Sequence, residues 1–439
     1  MEGDGFNMAS QSKSFRSRFP NFLSNFSALG TGSLSLLIIQ LISLPLFLTH
    51  LSTNQYAIWL TSFSVAQLAL LLDFGSIASS QNLFSYLDSK GNRDEIDLVL
   101  KQTTNLLLVS NSIFLLVILA LDQLAIGSIN VLLIAIFVLS NLMQSFFGLL
   151  EGMMRIDSKV AISLHFSNGL RGAEFIGTVL AVINFSESLS VIAMFSFLFK
   201  FLFFTGVVFF VPRRFRFIKF GPFKSSQIVK IIHQGFPFFL VKISDMININ
   251  GVVIILSGIL TASNLVIFTT TRTFFRFGLQ LTGLVSNSFA YEMSSSWVES
   301  NLIKMQTLIR ESLKSVLWLS LLIALIYQFA GEKLIAIWTH DKVQPASLIF
   351  TLGALYSIIL SINQNQKSRF NAVNHNFQIS LISFVASIIL VLFLLKSGIE
   401  FTLARLLVIL SATELISTLI IALVAHKLIY NYFQLGGTR

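Results

Sequence analysis

Two arginines stand four residues apart, Arg272 and Arg276, in "FTTTRTFFRFGLQ" (268–280), a stretch otherwise rich in Phe, Thr and Leu. Thr269, Arg272, Arg276, Gln280, Gly283 and Asn287 recur at three- and four-residue spacing, which on a helix gathers them into one polar stripe. A guanidinium stays protonated inside proteins and presents a planar fork that fits phosphate oxygens two at a time. Two such groups on one face, with no acid in the same helix before Glu292, require either an anion or carboxylates from neighbouring helices.

Further charges lie in equally apolar surroundings. The bases are Arg171, Lys200, Lys242 and Arg405; the acids are Asp73, Glu174, Asp245 and Glu414, with Glu151 at a helix end. A charge in hydrocarbon costs about 2.5–3.5 kcal/mol on insertion scales, so those that persist face a cavity or a partner. Arg171 with Glu174, and Lys242 with Asp245, are i,i+3 pairs of opposite sign. They either neutralise each other along the helix or serve a substrate and its coupling ion. Lys200 in "FLFKFLFF" sits mid-span but has a stem long enough to snorkel toward a headgroup. Arg405 reads as interfacial. His165 and Asn168 share a face with Arg171 and Gly172, preferably as packing polarity, alternatively as the lining of a cavity. The substrate-binding candidates are therefore Arg272, Arg276, Lys242, Arg171 and Lys200. The candidates for coupling to H+ or Na+ are Asp245, Glu174, Glu414 and Asp73.

Catalytic patterns are missing. The chain holds no Gly-rich phosphate loop with a following Lys-Ser/Thr, no His/Glu metal spacing and no nucleophile elbow. It has no cysteine, which excludes disulfides, thiolate catalysis and Cys-ligated metals. The expectation is a non-enzyme without cofactor or metal.

The elements that must position these charges are written in the hydropathy. Of 439 residues 54% are hydrophobic and 11% charged, with a mean hydropathy of +0.79; a soluble domain carries about 25% charged residues. Apolar runs of membrane-spanning length recur from end to end, and the short alternating segments of a β-barrel are absent. The fold class is all-α: a polytopic membrane protein of about twelve transmembrane helices. Spans are expected near 27–50, 56–76, 101–121, 128–150, 160–184, 189–212, 232–259, 264–290, 313–331, 345–363, 377–395 and 401–428. Counted from the turn near Ser263, Arg276 lies roughly 20 Å deep, near the bilayer middle.

Lys and Arg set the orientation. Lys13, Arg16, Arg18, Lys90, Arg93, Lys101, Arg155, Lys159, Arg213, Arg214, Arg216, Lys219, Lys224, Lys230, Lys304, Arg310, Lys314, Lys367, Arg369, Lys427 and Arg439 all fall on one side, and only Lys333, Lys342 and Lys396 on the other. Both termini are expected in the cytoplasm, and the net charge of +10 reads as positive-inside bias rather than a nucleic-acid surface. The N-terminal residues lack the apolar core and cleavage site of a signal peptide. The chain divides into a cytoplasmic segment 1–26, a six-helix lobe 27–212, a basic linker 213–230, a second six-helix lobe 231–430 and a tail 431–439. The stretch 50–75 lines up with 259–281, each a short outward turn followed by a hydroxyl-rich helix. Halves related in this way form transporters that rock around a central site.

The motif "SLPLFLTHLSTNQYAIWLTSFSVAQLALLLDFG", with Pro45, Tyr56, Asp73 and Gly75, resembles the opening of the Wzx-type polysaccharide flippases of the multidrug/oligosaccharidyl-lipid/polysaccharide exporter superfamily. "FFGLLEGMMR" and "FTTTRTFFRFGLQ" are similar to patterns of that family, and the likeness covers nearly the whole chain in length and layout. The glycines usual in the first outward turn are replaced by Ser52 and Ala57. The resemblance implies a V-shaped bundle around a central cationic cavity in the bacterial inner membrane. Its cargo would be an undecaprenyl-pyrophosphate-linked oligosaccharide moving from inner to outer leaflet, with Arg272 and Arg276 at the matching positions. Other polysaccharide-assembly proteins are the implied protein partners. Two alternatives stand beside it: an ion-coupled drug/cation antiporter of the same superfamily, which needs unpaired carboxylates in its cavity, and a membrane glycan polymerase or ligase. The latter needs a large outward loop, whereas the longest here is 330–345.

Overall fold

The computed structural model describes residues 32, 34–123, 130–157, 159–212, 216–298, 301–372, 376–396 and 402–434. Of the basic residues used for orientation, Lys13, Arg16, Arg18, Arg213, Arg214 and Arg439 lie outside that set. Every regular element among the described residues is helical.

Helix α1 (Leu34–His50) turns into α2 (Thr53–Gln67) through Ser52 and Gln55, whose side chains satisfy each other's backbone N–H in a capping box. A 3-10 segment (Leu68–Asp73) carries the rod on into α3 (Ser76–Ser89). Helices α4 (Arg93–Gln123), α5 (Val131–Ile156), α6 (Val160–Asn184) and α7 (Leu189–Phe210) complete the first half. The second half opens with α8 (Ser225–Met246), a π-helical turn (Ile247–Gly251) and α9 (Val252–Ser257), which form one rod. It continues with α10 (Ala262–Val298), α11 (Leu302–Thr339), α12 (Ser347–Ala372), α13 (Asn376–Lys396) and α14 (Leu403–Gln434).

Among the described residues nine rods are long and apolar enough to cross a membrane, and α1 is a shorter apolar helix. Helices α6 and α10 complete the twelve expected spans but fall outside the nine. These are the two helices that carry Arg171 with Glu174 and Arg272 with Arg276. These charged groups reduce the hydropathy of both helices.

Helix ends differ from the expected spans. Helix α11 has 38 residues, about 57 Å at 1.5 Å per residue, against about 30 Å of hydrocarbon. It absorbs most of the expected loop 330–345, and the chain turns at His340 and Asp341, both with positive φ. Helices α3, α4 and α8 also run past the apolar windows. Lys, Glu, Gln and Arg end a hydrophobic stretch without ending a helix, because their helix propensity is high. The linker is likewise shorter than 213–230, since α8 begins at Ser225. Its described part is strapped to α4. Lys219 pairs with Asp97 at 2.6 Å, and Gln102 donates to Pro222 O and accepts from Lys224 N, both at 2.8 Å.

The two halves share a wiring plan. In the first, α5 packs against α2, α3, α4, α6 and α7; in the second, α12 packs against α10, α11, α13 and α14. Each hub is the fourth span of its half. The sequence echo at the second spans has a local counterpart: Ser52 Oγ accepts from Gln55 N at 3.2 Å, and Thr261 Oγ1 accepts from Asn264 N at 3.3 Å. The same hydroxyl-capped turn starts the second span of both halves.

One hydrophobic cluster joins the halves on the side away from the basic residues, running from Phe47, Tyr56 and Trp59 through Val252, Phe268 and Phe275. Toward the basic side the packing divides. One cluster belongs to the first half together with Ile231 of α8, and two small ones belong to the second. Span two breaks at this level, where Phe74 (φ 50°) and Gly75 (φ 75°) are both left-handed. A Cβ on Gly75 would stand 2.1 Å from Gly235 O, so the backbones of spans two and seven touch directly across the halves.

Candidate functional site

The stripe on α10 is built as the spacing requires, but its two arginines have different surroundings. Arg272 is 4% exposed and reaches into span seven. It donates to Ile249 O at 3.2 Å and to Asn248 O, both in the π-helical turn. The wide i→i+5 ring of that turn tilts carbonyls out of the helix ladder, and a guanidinium is well suited to cap them. The Phe268 ring lies 5.8 Å away. Carbonyl dipoles stabilise this charge without cancelling it.

Arg276 is half-buried, and no hydrogen bond or ion pair links it to another described residue. Tyr327 of α11 donates its hydroxyl to Phe274 O at 2.9 Å and accepts from Gly278 N at 3.1 Å, so it sits between two backbone groups that flank Arg276.

The remaining charges make partners that the i,i+3 spacing does not indicate. Glu174 binds Lys200 rather than Arg171. Lys200 Nζ donates to Glu174 Oε2 at 2.7 Å and to Ser140 Oγ at 2.8 Å, and Ser140 Oγ donates to Glu174 Oε1 at 2.8 Å. Lys200 is 3% exposed, so it neither snorkels nor lines a path. Its ring of bonds knits α5, α6 and α7 within the first half. Lys242 pairs with Asp73 at 2.9 Å rather than with Asp245, and Gly75 N also donates to Asp73 at 3.1 Å. This bridge crosses the halves beside the Gly75–Gly235 contact, with Asp73 5% exposed. Asp245 pairs with Lys367 at 3.4 Å. Glu414 accepts from Asn248 Nδ2 at 3.5 Å, on the same residue whose carbonyl holds Arg272. Side-chain reach across a helix crossing is shorter than one turn along a helix when the helices pack closely, so the cross-span partner prevails.

Arg171 is exposed and, among the described residues, has neither a hydrogen bond nor an ion pair. It lines a cavity of about 320 Å³ with Gln144, Glu151, Ser167 and Asn168. Asn168 therefore belongs to a cavity wall, against the preferred reading of packing polarity; His165 is exposed beside it without lining the cavity. A second cavity of about 230 Å³ is lined by Gln280, Gly283, Asn287 and Gln364 of the other half. Leu36 of α1 borders both. Gln280 Nε2 donates to Gln40 Oε1 of α1 at 2.6 Å, and Arg276 stands one turn further along the same face. Arg405 is exposed near the start of α14, as an interfacial residue would be.

The deep carboxylates are thus occupied: Glu174, Asp73 and Asp245 by lysines, and Glu414 by an amide. Among the described residues Arg276 and Arg171 make no hydrogen bond or ion pair, although the Glu174 charge acts on Arg171. Sequence spacing found the arginines but not Ser140, Asn248 or Tyr327, which hold the neighbouring groups in place. The Asn-rich "INING" (247–251) was the available signal for an irregular span seven. Nothing in the sequence singles out Tyr327.

No family model and no curated protein matches the sequence. Solved structures do match the fold. The lipid II flippase MurJ in an inward closed conformation superposes with a TM-score of 0.72 at 14% identity, covering 91% of this chain and 87% of that one. A multidrug resistance MATE family transporter of the MOP superfamily, inward-facing, gives 0.66 at 13% identity over 91% and 99%. A MOP superfamily transporter from Pyrococcus furiosus, described as having a binding pocket of reversed polarity, gives 0.60 at 12% over 92% and 96%. The protein has the polytopic helical fold of the MOP superfamily transporters. At these identities the likeness defines the fold and not the cargo.

Proposed function

We propose that this protein is an alternating-access flippase that moves an undecaprenyl-pyrophosphate-linked oligosaccharide repeat unit, an O-antigen or capsular precursor, from the cytoplasmic to the outer leaflet of a bacterial inner membrane. The observation that carries this reading is the charge balance of the interior. Carboxylates near the cleft already hold hydrogen bonds or ion pairs, while Arg276 and Arg171 form neither with a described residue and Glu174 is held by Lys200, so the surplus charge is positive. A diphosphate brings about two or three negative charges with six or more acceptor oxygens, and each charge-assisted bond to it is worth about 1.5–3 kcal/mol. An unpaired ion on a low-dielectric path is prohibitive without such compensation. The lipid tail stays in the bilayer while the sugars pass between the lobes.

One cluster joins the lobes on the far side, and toward the basic side α8 remains packed on the first half through Ile231 and the Gly75–Gly235 contact. Arg272 acts in this reading as the clamp that fixes spans seven and eight, and Arg276 as the cargo-binding group. Glu414 and Asp245 are the candidates for H+ or Na+ coupling, since Glu414 accepts its hydrogen bond from an amide and forms no ion pair with a described residue, and Asp245 is the more exposed partner of its pair. Drug/cation antiport by the same fold requires a carboxylate left open to the cargo, and the interior offers arginines instead.

The test is complementation of a strain lacking its own flippase. Arg276→Ala is expected to abolish surface glycan with protein abundance unchanged, and Arg276→Lys to restore part of it, since a point charge lacks the fork. Normal glycan from Arg276→Ala would defeat the reading.

A further inference from the structure

A cavity between the halves plays no part in the reading above. It encloses about 560 Å³ where α3 and α4 of the first half meet α8 of the second, a size suited to a small ligand. Its polar wall is formed by Ser79 and Asn82 of α3, Glu95 of α4, and Gln227, Lys230 and Gln234 of α8. The side chains of Asn82, Glu95, Gln227, Lys230 and Gln234 make no hydrogen bond or ion pair with any described residue. Ser79 is 3% exposed, and its buried Oγ likewise has no partner. The polar wall away from Ser79 is thus free to take a ligand's hydrogen bonds.

Two features specify the occupant. Glu95 and Lys230 put one negative and one positive charge on the walls without pairing to each other. A ligand with a cation and an anion a few ångströms apart satisfies both, whereas a neutral sugar leaves both unpaired. The remaining wall is apolar, with Leu83, Leu98 and Phe238. The pocket also lies where the apolar windows of spans two, three and seven end, at the depth of lipid headgroups.

We propose that this inter-lobe pocket binds the headgroup of a zwitterionic aminophospholipid. Lys230 faces the phosphate, Glu95 accepts from the primary ammonium, and the amides of Asn82 and Gln234 take the remaining oxygens. Acyl chains leave along Leu98 and Phe238. Because the walls come from both halves, the lipid ties α3 and α4 to α8 and stabilises the arrangement seen here. The inference stands independently of which cargo the protein carries.

Purified full-length protein in detergent is titrated with short-chain phosphatidylethanolamine, phosphatidylglycerol and phosphatidylcholine, and with soluble glycerophosphoethanolamine, by thermal unfolding and native mass spectrometry. Phosphatidylethanolamine should bind about tenfold more tightly than phosphatidylglycerol, which has no cation, and than phosphatidylcholine, which has no N–H donor. Glu95→Gln should remove that preference, and Lys230→Gln should weaken all three lipids. Both replaced side chains are exposed, so the fold is retained, and the wild-type melting curve without lipid is the reference. Equal or tighter binding of phosphatidylglycerol to the wild type, or a preference that survives Glu95→Gln, would overturn the proposal. So would soluble glycerophosphoethanolamine binding as well as the lipid, which would identify a water-borne headgroup instead.

Discussion

Lys200 and Glu174 form the most enclosed ion pair among the described spans, with Ser140 closing the ring. Removing one partner of such a pair leaves a bare charge in a dry place, at a cost of about 3–5 kcal/mol. Lys200→Met should lower the unfolding temperature strongly, and Glu174→Gln added to it should recover most of the loss. A double variant no more stable than the single one would contradict a simple pairing role. The sequence made both residues visible as costly charges, yet assigned Glu174 to Arg171. One-dimensional spacing ranks neighbours on one helix and carries no information about which helix lies alongside. Arg276 was visible in the same way, as a costly charge, and the sequence left open whether a carboxylate of another helix would pair with it.

At the scale of elements, the rod α8–α9 is irregular where it meets α10, and Tyr327 of α11 bonds to the α10 backbone on both sides of Arg276. The π-helical turn offers carbonyls to Arg272, and Tyr327 occupies the backbone between Phe274 and Gly278. Tyr327→Phe removes one hydroxyl that serves two backbone groups, a change worth about 1–3 kcal/mol. It should also weaken glycan export, because Arg276 lies inside the bridged segment. Unchanged stability together with unchanged export would show that the helix closes its own ladder there. The polytopic helical fold was readable from hydropathy alone, with nine of the expected spans long and apolar enough among the described residues. The true lengths of α3 and α11 were not, since a polar helix that continues beyond the bilayer has the composition of a loop.

Over the whole molecule the halves touch most closely at Gly75 and Gly235, next to the Asp73–Lys242 bridge. Alternating access requires these surfaces to roll or part, so their contact distance matters. Gly235→Ala adds a methyl that meets Gly75 backbone at 2.7 Å without changing a left-handed dihedral. Gly75→Ala adds the dihedral penalty of about 1–2 kcal/mol. Both should reduce transport, Gly75→Ala more; normal transport by Gly235→Ala would mean the seam opens without strain. Measured directly, however, the central proposal is about charge: the Arg276 guanidinium would meet the diphosphate of the proposed cargo. Binding of undecaprenyl pyrophosphate to purified protein in nanodiscs is the decisive measurement. Arg276→Ala should weaken it about a hundredfold, the loss of two charge-assisted bonds, and raise the sensitivity to salt little, because the site is enclosed. Affinity within twofold of the unmodified protein would contradict it.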